Sequence, residues 1–249
     1  MPDQCNVELS YSRRVSDRNS PDVRRQFVTW TMYKLDPEVR RLDDEAKVRL
    51  KARFVDAMSE ADDEYIQLCY STVGLKTDVD FIVWRIAFDS DVLRRREAAI
   101  NRTKLAGYLR VSHRFLAMTK RSQYVDPVDP FHDENSRAKI VPGRRKFLFV
   151  YPFVKTRSWY QLPVDERQRM MNEHMHIGRK HYPVKNNTAY CFGIDDYEFI
   201  LSFEAESPEK FQDLMMELRE SEASSYTELD TPIFTCRRRT LEEVLASLG

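Results

Sequence analysis

Between Arg137 and Arg179 the chain collects a tyrosine, a lysine and a histidine at spacings that would set them around one cofactor. In KFLFVYPFVK, the residues Phe147, Phe149, Tyr151, Phe153 and Lys155 alternate, so a strand would carry all five on one face. That face is apolar and aromatic except for a phenol capable of radical chemistry and an ammonium. Further on, Met170, Met171, His174 and Ile177 recur at helical spacing and form an apolar stripe interrupted by one imidazole. A histidine on such a stripe, opposite a strand face bearing Tyr and Lys, predicts a cofactor pocket.

Each of these residues also has a plainer reading. A lone histidine on an apolar stripe is either a satisfied core residue or a ligand. No Cys/His/Asp cluster suited to zinc is visible, so a single ligand points to haem, which one proximal histidine can hold. The Met and Ile beside His174 suit the lining of a flat macrocycle. His176 falls about 200° further round the helix, on the solvated side. His181 returns to the His174 face and is the rival ligand, at a helix end frayed by Pro183. Tyr151 and Lys155 would lie about 13–14 Å apart along the strand; the alternative is a core tyrosine with a lysine snorkelling at the edge. Pro152 points the other way and has no N–H to donate, which predicts an edge or a bulge. Arg137, Lys139, Arg144, Arg145 and Lys146 are either solvated surface or a carboxylate-binding loop, since arginine grips carboxylates in a bidentate fork.

The elements that must position these groups follow from the rest of the chain. Its 249 residues suffice for one large domain or two small ones. Forty basic and forty acidic side chains cancel, so no global field draws the chain to nucleic acid or an anionic membrane. Cys5, Cys69, Cys191 and Cys236 form no CxxC pair, which excludes a zinc knuckle or a thioredoxin-type motif. The polar start and the lack of an apolar run near twenty residues predict a soluble, cytoplasmic protein.

A polar tail over residues 1–24 precedes two similar halves, 25–123 and 146–240, joined by a Pro- and Asp-rich linker loop at 124–145 that contributes to the pocket. The first half predicts strands at QFVTWTMYKL, YIQLCYSTVGL, DFIVWRIAF and RFLAMTKR, with helices over Glu45–Met58 and Asp91–Leu109. The second predicts strands at KFLFVYPFVK, NTAYCFGI, YEFILSFEA and PIFTCRR, with helices over Asp165–Lys180 and Pro208–Leu218. Both orders are β-α-β-β-α-β, the ferredoxin-like order. The central hairpins also correspond: Val73-Gly74-Leu75 leads to Phe81 as Phe192-Gly193-Ile194 leads to Phe199. The expected fold class is therefore α+β, with two tandem ferredoxin-like repeats set face to face as a dimeric α+β barrel.

The runs RAKIVPGRRKFLFVYPFVK, SWYQLP, DERQRMMNEHMHIGRKHYP, FGIDDYEF and MELRESEASSY resemble the chlorite dismutase-like family of haem proteins, and within it the coproheme decarboxylase branch. The resemblance covers about Gln26 to Arg238 and is densest from Arg137 onward. It implies the same duplicated fold, a homo-oligomeric ring (commonly a pentamer), and haem or coproheme in the C-terminal half. By its EHxxIGRK motif it makes His174 the proximal iron ligand, and by YPxxK it makes Tyr151 and Lys155 catalytic. It places a propionate-binding arginine at Arg137, a propionate-binding serine at Ser224 and an acidic neighbour of the proximal histidine at Glu222. Phe153 stands where many decarboxylases have Met. Asn186 stands at or beside the distal arginine of chlorite-splitting members, which speaks against chlorite dismutation.

The implied reaction is hydrogen peroxide-dependent oxidative decarboxylation of two propionates of coproheme III to give haem b, with Tyr151 supplying the radical and Lys155 orienting the carboxylate. A ferrochelatase would deliver the substrate. Two other readings stand beside it: a haem-b protein with peroxidase- or catalase-like activity, and a non-enzymatic ligand-binding or sensor module on the same scaffold.

Overall fold

The computed structural model describes residues 24–59, 65–124 and 139–249. The expected tail, apart from Arg24, lies outside the described residues, as does 125–138 of the linker. The chain divides into two compact units, one of Met1–Leu116 with Cys236–Gly249 and one of Ala117–Thr235.

The first unit runs β1 (Phe27–Leu35), α1 (Asp44–Met58), β2 (Tyr65–Ser71), β3 (Phe81–Ala87), α2 (Ser90–Asn101) and β4 (Leu109–Met118). Its strands lie in the order β4-β1-β3-β2. Val28, Trp30 and Met32 of β1 are buried on one face, while Thr31, Tyr33 and Leu35 are buried on the other, so both faces of the strand are covered. Asp43 caps α1 by accepting the Ala46 N–H at 2.7 Å, and Asp89 caps α2 by accepting the Asp91 N–H at 2.9 Å.

The second unit runs β5 (Phe147–Lys155), a one-turn α3 (Arg157–Gln161), α4 (Val164–Lys180), β6 (Lys185–Tyr190), β7 (Phe199–Ala205), α5 (Pro208–Glu220) and β8 (Thr227–Leu229). Antiparallel pairing sets the order β6-β7-β5-β8. Asp165 and Glu166 open α4 and Arg179 and Lys180 close it, matching the helix dipole at both ends. Two further elements, β9 (Phe234–Arg239) and α6 (Leu241–Ala246), complete the first unit. There β9 pairs with β2, and Leu241, Val244 and Leu245 enter the core with Phe54, Phe81 and Ile100.

The fold is thus α+β with the β-α-β-β-α-β order in each unit, but the strand predicted at PIFTCRR to end the second half forms as β9 and pairs with β2 of the first unit, while the three-residue β8, not predicted, closes the second. One boundary differs in the first unit: β4 starts at Leu109, and the preceding helix ends at Asn101 instead of reaching Leu109. The cause is Thr103, whose hydroxyl donates to the Ile100 carbonyl at 2.7 Å and accepts the Ala106 N–H at 3.3 Å. It closes α2 and starts a single 3-10 turn, Lys104–Tyr108.

Candidate functional site

In the second unit the register decides which side chains share a face. Tyr151 pairs with Leu201 and Phe149 with Phe203 across β5 and β7, while Asn186 pairs with Phe203 and Thr188 with Leu201 across β6 and β7. Cross-strand partners project to the same side, so Tyr151, Asn186 and the Phe149/Phe203 pair face one way. Helices α4 and α5 cover that side, where Ile177, Phe211 and Leu214 cluster with Phe149, Tyr151 and Phe203. Tyr151 is 2% exposed, and its ring stacks on Phe203 at 6.1 Å. Its hydroxyl points at the Met215 thioether, 3.6 Å away, a weak acceptor. Burial first, then Asp230, pushes its pKa well above the ordinary phenol range, with Arg219 opposing. The phenol therefore holds its proton throughout the physiological range.

Lys155 ends the same strand. The irregularity that Pro152 predicts occurs two residues further on, between Val154 and Lys155, where the pairing with β8 shifts; Pro152 itself pairs in regular register with Ile200. The lysine is buried. Its ammonium donates to the Ala223 carbonyl at 2.5 Å and lies 4.6 Å from the Trp159 ring centroid and 5.4 Å from that of Phe153. Burial lowers its pKa to about 8, against the opposing pull of Glu198. Glu198 is itself buried, accepting the Lys155 backbone N–H at 2.8 Å and the Tyr160 hydroxyl at 2.6 Å.

Helix α4 joins these two places. Met170 and Met171 pack with Trp159 and Ala223, the residues that surround the lysine head, and Ile177 packs in the Tyr151 cluster. His174 lies between them on the stripe and is half-buried, whereas His176 is exposed. Met175 is buried as well, outside the expected stripe. His181, the rival, has its Nε2 at 2.8 Å from a Glu217 carboxylate oxygen, and Lys180 donates to the other oxygen at 2.5 Å. These two bonds hold the Glu217 carboxyl below its ordinary pKa and tie the end of α4 to α5.

The turn Glu222–Tyr226 docks on α4 beside this stripe. The Glu222 carboxylate pairs with Arg169 at 2.9 Å, and its backbone N–H donates to Glu173, next to His174. The Ser224 hydroxyl lies 2.7 Å from the carbonyls of both Arg219 and Ser221, so its one proton is committed to the end of α5. Asn186 is exposed, and its side-chain carbonyl accepts from Thr188 at 3.2 Å. Phe153 is half-buried, edge-on to Phe199 at 6.2 Å. Arg137 lies outside the described residues.

Sequence reasoning missed the device that seats the linker's end. Glu204, fully buried, accepts the Gly143 N–H at 2.7 Å, the Arg145 N–H at 3.4 Å and the Asn187 side-chain amide at 2.9 Å. Arg144, between the two bonded amides, has a φ of 56°, a left-handed conformation that costs a non-glycine residue energy. Lys185 donates to the Val141 carbonyl at 2.6 Å from the same side. The available signal was an acid inside the otherwise apolar run FILSFEA. Tyr124 and Arg167 were missed as well. The Tyr124 hydroxyl, in the Trp159 cluster, and Arg167 Nε, one turn before Met170 and Met171, are buried and have no hydrogen-bond partner among the described residues.

The model of the chlorite dismutase family matches residues 47–239. The chain belongs to the chlorite dismutase family. Among curated proteins it is 34% identical over 182 residues to the coproheme decarboxylase of Mycolicibacterium smegmatis, covering 72% of this chain and 75% of that one. It is 26% identical over 209 residues to the coproheme decarboxylase of Staphylococcus carnosus, covering 78% and 83%. Among solved structures, a variant of the chlorite dismutase from Candidatus Nitrospira defluvii superposes with a TM-score of 0.81 at 21% identity, covering 90% and 94%. A heme-binding protein from Thermus thermophilus superposes at 0.78 with 24% identity, covering 90% and 95%. At these identities the structural matches establish the family's fold. No helix among the described residues is long and apolar enough to cross a membrane.

Proposed function

We propose that the chain binds coproheme III in its second unit and decarboxylates two propionates with hydrogen peroxide to give haem b. The observation that carries this reading is the α4 stripe: it runs from the Lys155 surroundings to the Tyr151 cluster, with His174 between them. Two relatives that bear the decarboxylase name support it. The residues present fit a flat, carboxylate-bearing ligand. An aromatic strand face opposes an apolar helix stripe, His174 would hold the iron, and the orphaned Tyr124 hydroxyl and Arg167 Nε are donors suited to carboxylates.

The iron of the bound substrate supplies the redox chemistry when peroxide oxidises it. The protein's part is to hold and move protons and to aim carboxylates. Tyr151, kept protonated by burial, gives up its electron and proton together and then takes hydrogen from a propionate β-carbon. Loss of carbon dioxide leaves a vinyl group, so that each propionic acid and one peroxide yield a vinyl, one carbon dioxide and two waters. Lys155 orients the reacting carboxylate: a lysine of pKa about 8 is readily drawn to full charge by an arriving anion. Arg137 anchors a propionate from the linker whose end Glu204 secures. An enzyme of the ferrochelatase class would supply the iron-loaded substrate. Asn186 offers a neutral amide on the Tyr151 face, with no guanidinium to hold an oxychlorine anion.

The test is anaerobic loading with coproheme III followed by stepwise peroxide, with porphyrin masses recorded. Loss of two carboxyl groups in sequence, ending at haem b, is expected. Tight binding followed only by bleaching would sink the decarboxylase reading and leave a peroxidase-like haem protein.

A further inference from the structure

Met215 and Met216 stand side by side on α5 and face different ways. Met216 is 65% exposed, whereas Met215 is half-buried and packs on the Tyr151 cluster. The Tyr151 hydroxyl meets the Met215 sulfur at 3.6 Å. One turn on, Arg219 pairs with Asp230, and both lie near enough to the phenol to bear on its ionisation. Arg219 is largely exposed and Asp230 partly so, which puts solvent within one helical turn of the sulfur.

A thioether is a weak acceptor, so it leaves the phenol hydrogen free to react. It is also a soft nucleophile toward peroxides, and its oxidation turns an apolar group into a polar one. The sulfoxide oxygen accepts hydrogen bonds strongly, yet it is too weak a base to remove a phenol's proton. Set between this sulfur and the Tyr151 hydroxyl, it would lie at ordinary O–H···O distance, about 2.7–2.8 Å.

We propose that Met215 is a modification site: hydrogen peroxide converts it to the sulfoxide, whose oxygen takes the Tyr151 hydroxyl in a hydrogen bond and withdraws that hydrogen from reaction. A sulfur lone pair attacks one peroxide oxygen, and the S–O bond forms as the O–O bond breaks. The proton of the transferred hydroxyl leaves with the other oxygen as water; sulfur loses two electrons and peroxide gains them. The modification needs no porphyrin. Its effect on turnover rests on the decarboxylase reading, in which peroxide is consumed and Tyr151 carries the hydrogen. Excess oxidant then slows the residue that uses it, and methionine sulfoxide reductases restore it. Met216, the more exposed neighbour, reacts first, so Met215 registers a sustained excess.

The experiment treats the full chain with peroxide in the absence of porphyrin, removes the peroxide and locates sulfoxide by peptide mass. Met216 is expected to gain oxygen first and Met215 after it, ahead of the buried Met32 and Met170. Oxidation should shift the folding equilibrium about fivefold less in wild type than in Tyr151→Phe, because only the phenol can bond the new oxygen. At saturating coproheme the treated chain should convert about tenfold more slowly than its untreated form, and the reductases should return the rate. Met216→Leu should respond to treatment as wild type does, whereas treated and untreated Met215→Leu should turn over alike. Met215 left intact at a dose that converts Met216 would overturn the proposal. So would a stability shift equal in wild type and Tyr151→Phe, or slowing that survives in Met215→Leu. A chain that converts no coproheme before treatment fails the decarboxylase reading alone; the masses and the stability comparison still decide the role of Met215.

Discussion

The two units present the same face of the same scaffold and fill it in opposite ways. Tyr33 pairs with Phe81 in the first as Phe153 pairs with Phe199 in the second, which makes Thr31 the counterpart of Tyr151, Arg85 of Phe203 and Gln67 of Asn186. Arg85 is 3% exposed and donates to Gln67 and Glu97, each at 3.1 Å. Tyr65 donates to Gln67 at 2.6 Å, and Arg96 lies over the Tyr65 ring at 5.2 Å. This network closes the face from within. In the second unit the same positions are aromatic or neutral, and the polar groups among them have thin partners: a thioether for Tyr151, one carbonyl for Lys155. The first unit thus spans this face with a charged network, although Thr31 Oγ1 and Arg85 Nη2 have no partner among the described residues, whereas the second lines it with aromatic rings.

The sharpest way to break this contrast is at Tyr151 and His174. Tyr151→Phe should still bind coproheme while the first decarboxylation slows by about a thousandfold or more, since the other phenol that the register puts on that face, Tyr190, sits beside Phe199 and outside the Phe203 cluster. Full conversion by the variant would end the radical role. His174→Ala should lose the wild-type Soret spectrum and weaken porphyrin binding about a hundredfold. An unchanged spectrum would move the ligand to His181 or remove the site from α4.

Next in size is the first unit's network. Glu97→Ala leaves the buried Arg85 without its carboxylate and should cost about 3 kcal/mol of stability, measured by chemical denaturation. Below the melting transition its coproheme conversion should match wild type. If catalysis fell in step with stability, the first face would not be the closed, structural one described here.

Lys155 gives a smaller, pH-dependent effect. Its folded pKa, about 8, lies below its ordinary 10.5, so the folded chain binds fewer protons than the unfolded one between those values. Stability linked to this lysine should therefore rise with pH across that window, by about 2 kcal/mol relative to Lys155→Met. Coproheme binding should move the other way, loosening as pH rises through about 8, because the ammonium that meets the carboxylate is lost. Binding flat from pH 7 to 9.5 would remove Lys155 from carboxylate recognition.

What could be read from the chain in advance tracks sequence distance. Tyr151 and Lys155 lie four residues apart on one strand, and Met170, His174 and Ile177 lie within two turns of one helix, so local periodicity sufficed for both groups and for every element but β8, though not for the placing of β9 in the first unit. The partners of these groups were hidden. Ala223 under Lys155, Met215 under Tyr151 and Glu198 behind both Lys155 and Tyr160 are brought in by strand register and helix docking across 38 to 68 positions. Three-residue β8 was too short to show a period, and the shift it imposes at Lys155 was assigned to Pro152 because proline is the only local cause of irregularity in view. Ser224 matched a motif, yet its hydroxyl is drawn to the carbonyls left open at the end of α5, a demand that no motif encodes.

The opposite faces of the two units differ as well, at one position with a measurable consequence. The register that equates Phe81 with Phe199 makes Ile86 the counterpart of Glu204 and Leu68 the counterpart of Asn187. Only the second unit buries a carboxylate and an amide there, and only there does a long connection enter the sheet. Glu204→Gln keeps the size and one acceptor but weakens three bonds made to a charge, and it releases the left-handed Arg144 from the amides on either side. The expected cost is about 1–2 kcal/mol in stability. Coproheme affinity should fall several-fold with the spectrum of the bound iron unchanged, because the segment carrying Arg137 would be loosened while His174 stays in place. A loss of stability with affinity intact would make Glu204 a fastening of the sheet alone; a changed iron spectrum would mean that the linker reaches the His174 side of the ligand.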